Sequence, residues 1–165
     1  MPNAIFEVSI DNAETFRHDG INNIKFLFTA NKGEKLQELG NVVSGGEMSR
    51  VMLAIKSMTA ERNMLPTIIF DEIDSGVSGQ TAAKVGNILK KLSENHQVIA
   101  ITHLPQIAAR GEEHIHVEKT EADDKMQTTL RKLNSDERIE IIARMISDEK
   151  LSDSAFEMAR QLLFS

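Results

Sequence analysis

The chain has 165 residues, 41% of them hydrophobic and 27% charged, a balance that excludes both disorder and collagen-like repeats. A chain of this length buries roughly 70% of its unfolded surface, so one domain with a real core is the expectation. Nineteen basic against twenty-five acidic residues, a net charge of -6, weigh against a stand-alone DNA-binding module, and the lack of cysteine excludes disulfides and thiolate metal sites. The acidity is uneven: residues 112–165 carry most of it, while residues 65–111 hold as many basic as acidic side chains. With no Trp or Tyr, base-stacking platforms are not expected. No apolar run approaches the ~20 residues of a membrane span, and Met1–Ile5 lacks the features of a signal peptide, so a cytoplasmic protein is expected.

In chain order, Ile5–Ile10 and Ile24–Thr29 alternate apolar with other residues and read as strands joined by a polar loop. A glycine-punctuated connection (Gly33, Gly40, Gly45, Gly46) leads to a helix starting near Glu47, with Met48, Val51, Met52, Ile55 and Met58 at helical spacing. Thr67–Phe70 is a short apolar run typical of a strand buried on both faces, and Val98–Ile101 is another. Between them, Gly79–Ser93 reads as a helix with Ala82, Val85, Leu89 and Leu92 on one face. Strand, helix, strand at this spacing is a βαβ unit with parallel strands. His114–Lys119 and Met126–Leu133 look like a hairpin around the acidic loop Glu121–Asp124. Two amphipathic helices close the chain, one with Ile139, Ile142, Ala143 and Ile146 and a capping box from Asn134 to Glu137, the other with Ala155, Met158, Ala159 and Leu162. The class is α/β.

Three places carry chemistry. Asp71-Glu72 follows an apolar strand, where ligands of open parallel sheets gather; one acid can hold Mg²⁺ while the other polarises water. Two solvated acids, or acids at a helix N-terminus, would look the same. His103 ends the second parallel strand and should converge on the same sheet edge, able to donate to a phosphoryl group or orient water; a structural histidine is the alternative. Ser44-Gly45-Gly46-Glu47 precedes a helix, where free N–H groups can bind an anion, or where Ser44 simply caps the helix. His114 and His116 share a strand face but have no third ligand at a suitable spacing, so a structural role is favoured. Arg50 and Lys56 are read as solvated or interfacial. No Gly-Lys dipeptide occurs, so a P-loop is missing and the chain holds half a nucleotide site.

These motifs stand in the order of the C-terminal half of an ABC-type ATPase head. Val43–Glu47 resembles the signature motif, Thr67–Glu72 resembles Walker B with its glutamate, Asp74–Gly79 falls at the D-loop, and His103 matches the switch histidine. Ile73-Asp74 after the acids, in place of Pro-Thr, resembles the SMC-like chromosome-maintenance and repair branch. Within it the wording is similar to the RecN family of bacterial DNA repair proteins. Phe26–Asn31 with Gly33, Ser44–Arg50, Phe70–Gly79, Ile101–Ala109 and Glu140–Met145 carry the likeness, which runs from Asn3 to Leu163. Ile146-Ser147-Asp148 departs from the family's glycine-rich turn.

The resemblance implies a split head: a P-loop half, two coiled-coil helices, then the half seen here, so that residues 1–165 form the C-terminal lobe and the P-loop lobe is a missing partner. It implies Mg²⁺ on Asp71, a general base in Glu72 and a γ-phosphate contact from His103. Ser44, Gly45, Gly46 and Glu47 would bind ATP held by a second head, and Ser75 and Gly76 would link the two sites of that homodimer. The implied function is an ATPase in double-strand break repair and recombination, nucleoid-associated, engaging DNA as an assembled molecule, with the isolated chain inactive. A structural ATP-gated clamp with incidental turnover, or a head of another SMC or ABC-type ATPase, is the alternative. The face meant for the missing lobe should be left bare and apolar.

Overall fold

A computed structural model of the chain describes residues 3–42, 45–63, 65–122, 125–147 and 151–164. β1 (Ile5–Arg17) and β2 (Gly20–Thr29) form an antiparallel hairpin that pairs Phe6 with Phe28, Val8 with Phe26 and Ile10 with Ile24. The polar loop expected between Ile10 and Ile24 is therefore mostly strand, and only His18 and Asp19 turn the chain. Polar side chains suit this exposed tip, which Arg17 fastens by donating to Asp19, Asn23 and the Asn22 carbonyl. Because strand side chains alternate, Phe6, Val8, Ile10, Ile24 and Phe26 share one face. Phe6 and Phe26 stack at 6.0 Å there, and all five remain exposed. A short β3 (Gln37–Glu38) adds to β2, and α1 (Leu39–Val42) is a single turn.

α2 (Gly45–Asn63) begins where the glycine pair places it, but buries only part of the expected face. Val51, Leu53 and Ala60 are buried, whereas Met52, Ile55 and Met58 are exposed. The helix is apolar on two sides. The side carrying Leu53 and the small Ala60 packs on Ile68 and Phe70 of the next strand. Lys56 fixes that contact, its Nζ donating to the Ile69 carbonyl at 3.1 Å and lying 5.3 Å from the Phe70 ring centre. It ties the helix to the sheet while remaining exposed to solvent.

β4 (Thr67–Phe70), α3 (Gly79–Leu92) and β5 (Gln97–Ala100) form the βαβ unit, with Ile68 beside Val98 and Phe70 beside Ala100 in parallel register. Ala82, Val85, Leu89 and Leu92 are buried as their spacing predicts. Gly86 lets α3 approach α4 (Pro105–Ala108): a Cβ there would sit 3.0 Å from the Gln106 carbonyl. The two strands are not buried on both faces. Ile68 and Phe70 point into the core, while Ile69 is 54%, Ile99 44% and Ile101 56% exposed, since no described element covers that face.

β6 (Ile115–Ala122) and β7 (Lys125–Lys132) pair over their whole length, so Glu121 belongs to a strand and not to a loop; Asp123 and Asp124 lie outside the described residues. α5 (Ser135–Ile146) opens with the expected capping box, Asn134 accepting from the Glu137 N–H at 3.0 Å and Glu137 accepting from Asn134 at 2.8 Å. α6 (Asp153–Phe164) packs on it through Ala155 and Ala159, small enough to bring the helices close around Ile142 and Ala143. Met158, expected on that face, is 52% exposed. Asp148 lies outside the described residues.

His114 is wedged between α4, α5 and the second hairpin. Burial holds its pKa below the ordinary 6.5, the Arg138 charge acts in the same direction, and the Ala108 and Gly111 carbonyls offset part of both. Its Nε2 is buried without a partner among the described residues, as is Nε of Arg138, whose Nη2 donates to the Gly111 carbonyl at 2.7 Å. A histidine held neutral in the fold but free to charge when unfolded stabilises fully above its unfolded pKa. Denaturant titrations should therefore show stability falling as pH drops below about 6.5, a dependence that His114→Gln removes.

Candidate functional site at the carboxyl edge of the parallel strands

The last rung of the parallel pair is the Ile101 N–H donating to the Phe70 carbonyl at 2.9 Å. Beyond it Asp71-Glu72 leave β4 and Thr102-His103 leave β5, so both motifs emerge from one edge of the sheet, where parallel sheets bind ligands. Glu72 takes φ of +49°, the one positive φ of a non-glycine residue among those described. Such backbone costs about 1–3 kcal/mol and persists only where its surroundings over-determine it. Buried Ile73 and Asp74 anchor the chain just beyond, and the Ser75 N–H donates back to the Glu72 carbonyl at 3.2 Å. The glutamate side chain is thereby held out in solvent while Ile73 and Asp74 after it are buried.

Asp74 is the anchor of this edge, and it is only 3% exposed. One oxygen, Oδ2, accepts from Thr102 Oγ1 at 2.5 Å and from the His103 N–H at 2.7 Å, and lies 3.1 Å from His103 Nδ1. The Thr102 hydroxyl in turn accepts from the Leu104 N–H at 3.1 Å. Burial by itself would raise the Asp74 pKa, but the Thr102 hydroxyl and the His103 N–H outweigh it, with smaller help from its own backbone and from the His103 ring, and hold it below the ordinary 3.8. The carboxylate is ionised and clamps the two strand ends together. Sequence reading places Asp74 in a motif but gives it no role in the site, because a third acid after Asp71-Glu72 looks solvated; the clue is a Thr-His pair at the end of the neighbouring parallel strand.

The glycine turn reaches the same place from the other side. Gly46 is buried against the Ser75-Gly76 backbone so closely that a Cβ on it would lie 2.7 Å from the Gly76 carbonyl oxygen, whereas Gly45 has open space. Gly76 itself has φ of +66°. Ser44 lies outside the described residues. Glu47, in the first turn of α2, borders a cavity of about 160 Å³ with Thr29, Asn31 and Lys35. Asp71 shares a shallow pocket of about 220 Å³ with Met48, Ser49, Met52 and Lys56 of α2. The structure thus joins Gly46 to Ser75-Gly76, Asp71 to α2, and His103 to the loop through Asp74. No hydrogen bond among the described residues links Glu72 directly to His103.

Among the described residues no three His, Cys, Asp or Glu side chains gather as a metal site. Asp71 offers one exposed carboxylate. That fits Mg²⁺, which keeps several waters and takes one or two carboxylates along with substrate phosphates. It does not fit a metal held by the protein alone.

No protein-family model matches the sequence. The chain is 38% identical over 164 residues to the DNA repair protein RecN of Haemophilus influenzae, spanning 99% of this chain and 29% of that protein. To RecN of Rickettsia conorii it is 44% identical over 163 residues, again 99% of this chain and 30% of the relative. It therefore spans less than a third of the curated relatives it matches. In fold it is similar to an SMC ATPase from a study of ATP-driven dimerization and DNA-stimulated activation, with a TM-score of 0.63 at 18% identity over 90% of this chain and 85% of that one. The Smc head of Pyrococcus yayanosii, with a coiled coil and joint, gives a TM-score of 0.66 at 20% identity over 88% of this chain and 26% of that chain. The fold is that of part of an ABC-type ATPase head.

Three substitutions test the packing of the site. Thr102→Val takes a donor from the buried carboxylate and should cost about 1–3 kcal/mol in urea unfolding. Gly46→Ala should destabilise by a similar ~1–3 kcal/mol from overpacking against Gly76, although alanine favours helices, while Gly45→Ala should be close to neutral.

Proposed function

We propose, starting from a chain that is RecN-like over nearly its whole length and folds as part of an SMC-type ATPase head, that it supplies the C-terminal lobe of an ATP-hydrolysing head acting in DNA double-strand break repair. The observation that carries this reading is the gathering of Asp71, Glu72 and His103 at one edge of the β4–β5 pair, with the Gly45-Gly46 turn tied to Ser75-Gly76 beside them.

In this reading Asp71 would hold Mg²⁺, which would supply charge neutralisation for the transferred phosphoryl group. Glu72 stands in solvent on a backbone fixed by the turn behind it, placed to accept a proton from an attacking water. His103 projects from the strand end, its side chain 77% exposed, toward the γ-phosphate. Gly45 and Gly46, with Glu47 after them, open α2, where the first N–H groups and the helix dipole favour an anion, and Ser44 precedes them in the sequence. They address ATP held by a second head, and Ser75-Gly76 lie between the two sites. Catalysis is by positioning and electrostatics rather than covalent chemistry.

The P-loop that would grip the β- and γ-phosphates belongs to a partner lobe of the same protein. Uncovered apolar surface supports that reading: Ile69, Ile99 and Ile101 on the sheet, Met52, Ile55 and Met58 on α2, and the Phe6–Phe26 face of the first hairpin are all solvent-exposed. No helix among the described residues is long and apolar enough to cross a membrane. DNA is engaged by the assembled molecule at the nucleoid; the net charge of -6 weighs against this segment holding a DNA backbone by itself.

ATP turnover tests the proposal. The chain alone should hydrolyse ATP negligibly, and a P-loop lobe supplied in trans or by fusion should restore turnover. Glu72→Gln should then abolish turnover and accumulate an ATP-bound dimer in size-exclusion chromatography with light scattering. Brisk hydrolysis by the chain alone, or full turnover in the Glu72→Gln head, contradicts the assignment.

A further inference from the structure

We infer that Asp74 is the positioning residue of His103: it keeps the Nδ1–H edge of the ring turned to the fold and leaves Nε2 as the nitrogen that meets the ligand. This rests on the reading above in one respect only, that the ligand facing His103 is the γ-phosphate of ATP or the water that attacks it.

The geometry of the carboxylate carries the inference. Asp74 lies in the loop after β4, yet its Oδ2 faces the segment after β5: it accepts from the Thr102 hydroxyl at 2.5 Å and the His103 backbone N–H at 2.7 Å, and His103 Nδ1 lies 3.1 Å from it. A carboxylate only accepts, so the nitrogen that faces it must be the one that carries hydrogen. The hydrogen bond made by one ring nitrogen decides the role of the other. Here the inward nitrogen faces a carboxylate side chain only 2% exposed, while the imidazole is 77% exposed and turns its far edge to solvent. The backbone N–H of His103 donates to the same oxygen that its Nδ1 faces at 3.1 Å. The main chain of His103 and its imidazole are therefore directed at one carboxylate, and a swing of the ring gives up that charge contact while the Thr102 and backbone donors stay in place. Nε2 can then accept from a water, or donate to a phosphate oxygen once the ring holds a second proton.

Asp74 also has a mechanical neighbour. Ser75-Gly76 follow it directly and bear on Gly46 of the glycine turn. A shift of that turn would reach the carboxylate through one peptide. The aim of His103 is thus set by a loop that touches the proposed binding surface for a second head.

Nitrogen-edited NMR of the imidazoles tests the inference in the chain alone, without nucleotide and at mildly alkaline pH. The neutral His103 ring of the unsubstituted chain should show the Nδ1–H form, against the Nε2–H form that free imidazoles prefer. Asp74→Ala should return it toward Nε2–H. An Nε2–H ring in the unsubstituted chain overturns the inference even if Asp74→Ala does not fold, and an unchanged pattern in a folded Asp74→Ala chain overturns it too. In the head completed with a P-loop lobe, Asp74→Asn should lower kcat roughly 10- to 100-fold, the usual loss when an outer partner of a functional histidine is removed, with KM for ATP little changed. Normal kcat in that variant overturns the positioning role. If the completed unsubstituted head hydrolyses no ATP, the functional assignment fails by itself, and the NMR result still decides whether Asp74 aims His103.

Discussion

A buried carboxylate in a small sheet is costly unless its charge is met by donors, and Asp74 meets that demand with groups from another strand. Its single oxygen binds Thr102 and His103, closing the gap between the ends of β4 and β5 just past their last backbone rung at Ile101. Other features of the edge lean on this clamp. The positive φ of Glu72 is held because the residues after it are pinned, and Gly46 packs against a Ser75-Gly76 backbone that is fixed for the same reason. Because the clamp is ionic, it depends on Asp74 remaining charged. Its low pKa keeps that contribution present above the ordinary 3.8 and lets it fade only as pH falls through the lower folded value.

The βαβ unit was legible because two separate signals agree there: short apolar runs at Thr67–Phe70 and Val98–Ile101, and a 3.6-residue period through Ala82, Val85, Leu89 and Leu92. The capping box at Asn134 and Glu137 was legible for a similar reason, since the motif states its own geometry. The first hairpin was legible only at its apolar end, Ile5–Ile10 and Ile24–Thr29, because its outer strand residues are exposed and polar and read like a loop between Ile10 and Ile24. The buried face of α2 was misread through the reverse ambiguity. With apolar side chains on two sides, periodicity marks both Met52-Ile55-Met58 and Leu53-Ala60, and only packing chooses. Asp71, Glu72 and His103 stood out by position at strand ends. Asp74 did not, since its partners lie 28 and 29 positions away.

What the chain leaves uncovered is as informative as what it buries. The parallel pair has a packed face and a bare one, α2 has a packed side and a bare one, and the first hairpin exposes an aromatic ladder. Elements normally bury such faces against another layer. The acidic surplus is concentrated beyond residue 111, whereas the stretch carrying Asp71, Glu72, Asp74 and His103 is balanced in charge. A polyphosphate approaching this edge meets few opposing charges beyond the acids that the proposed chemistry uses.

The central claim is that this chain contributes its residues to a nucleotide site it cannot form alone. Equilibrium dialysis with Mg²⁺-ATP measures that directly. The chain by itself should show no saturable binding up to millimolar nucleotide, and saturable binding should arise when a P-loop lobe is added. Tight, saturable Mg²⁺-ATP binding to the chain alone, weakened by Asp71→Asn, would contradict the account.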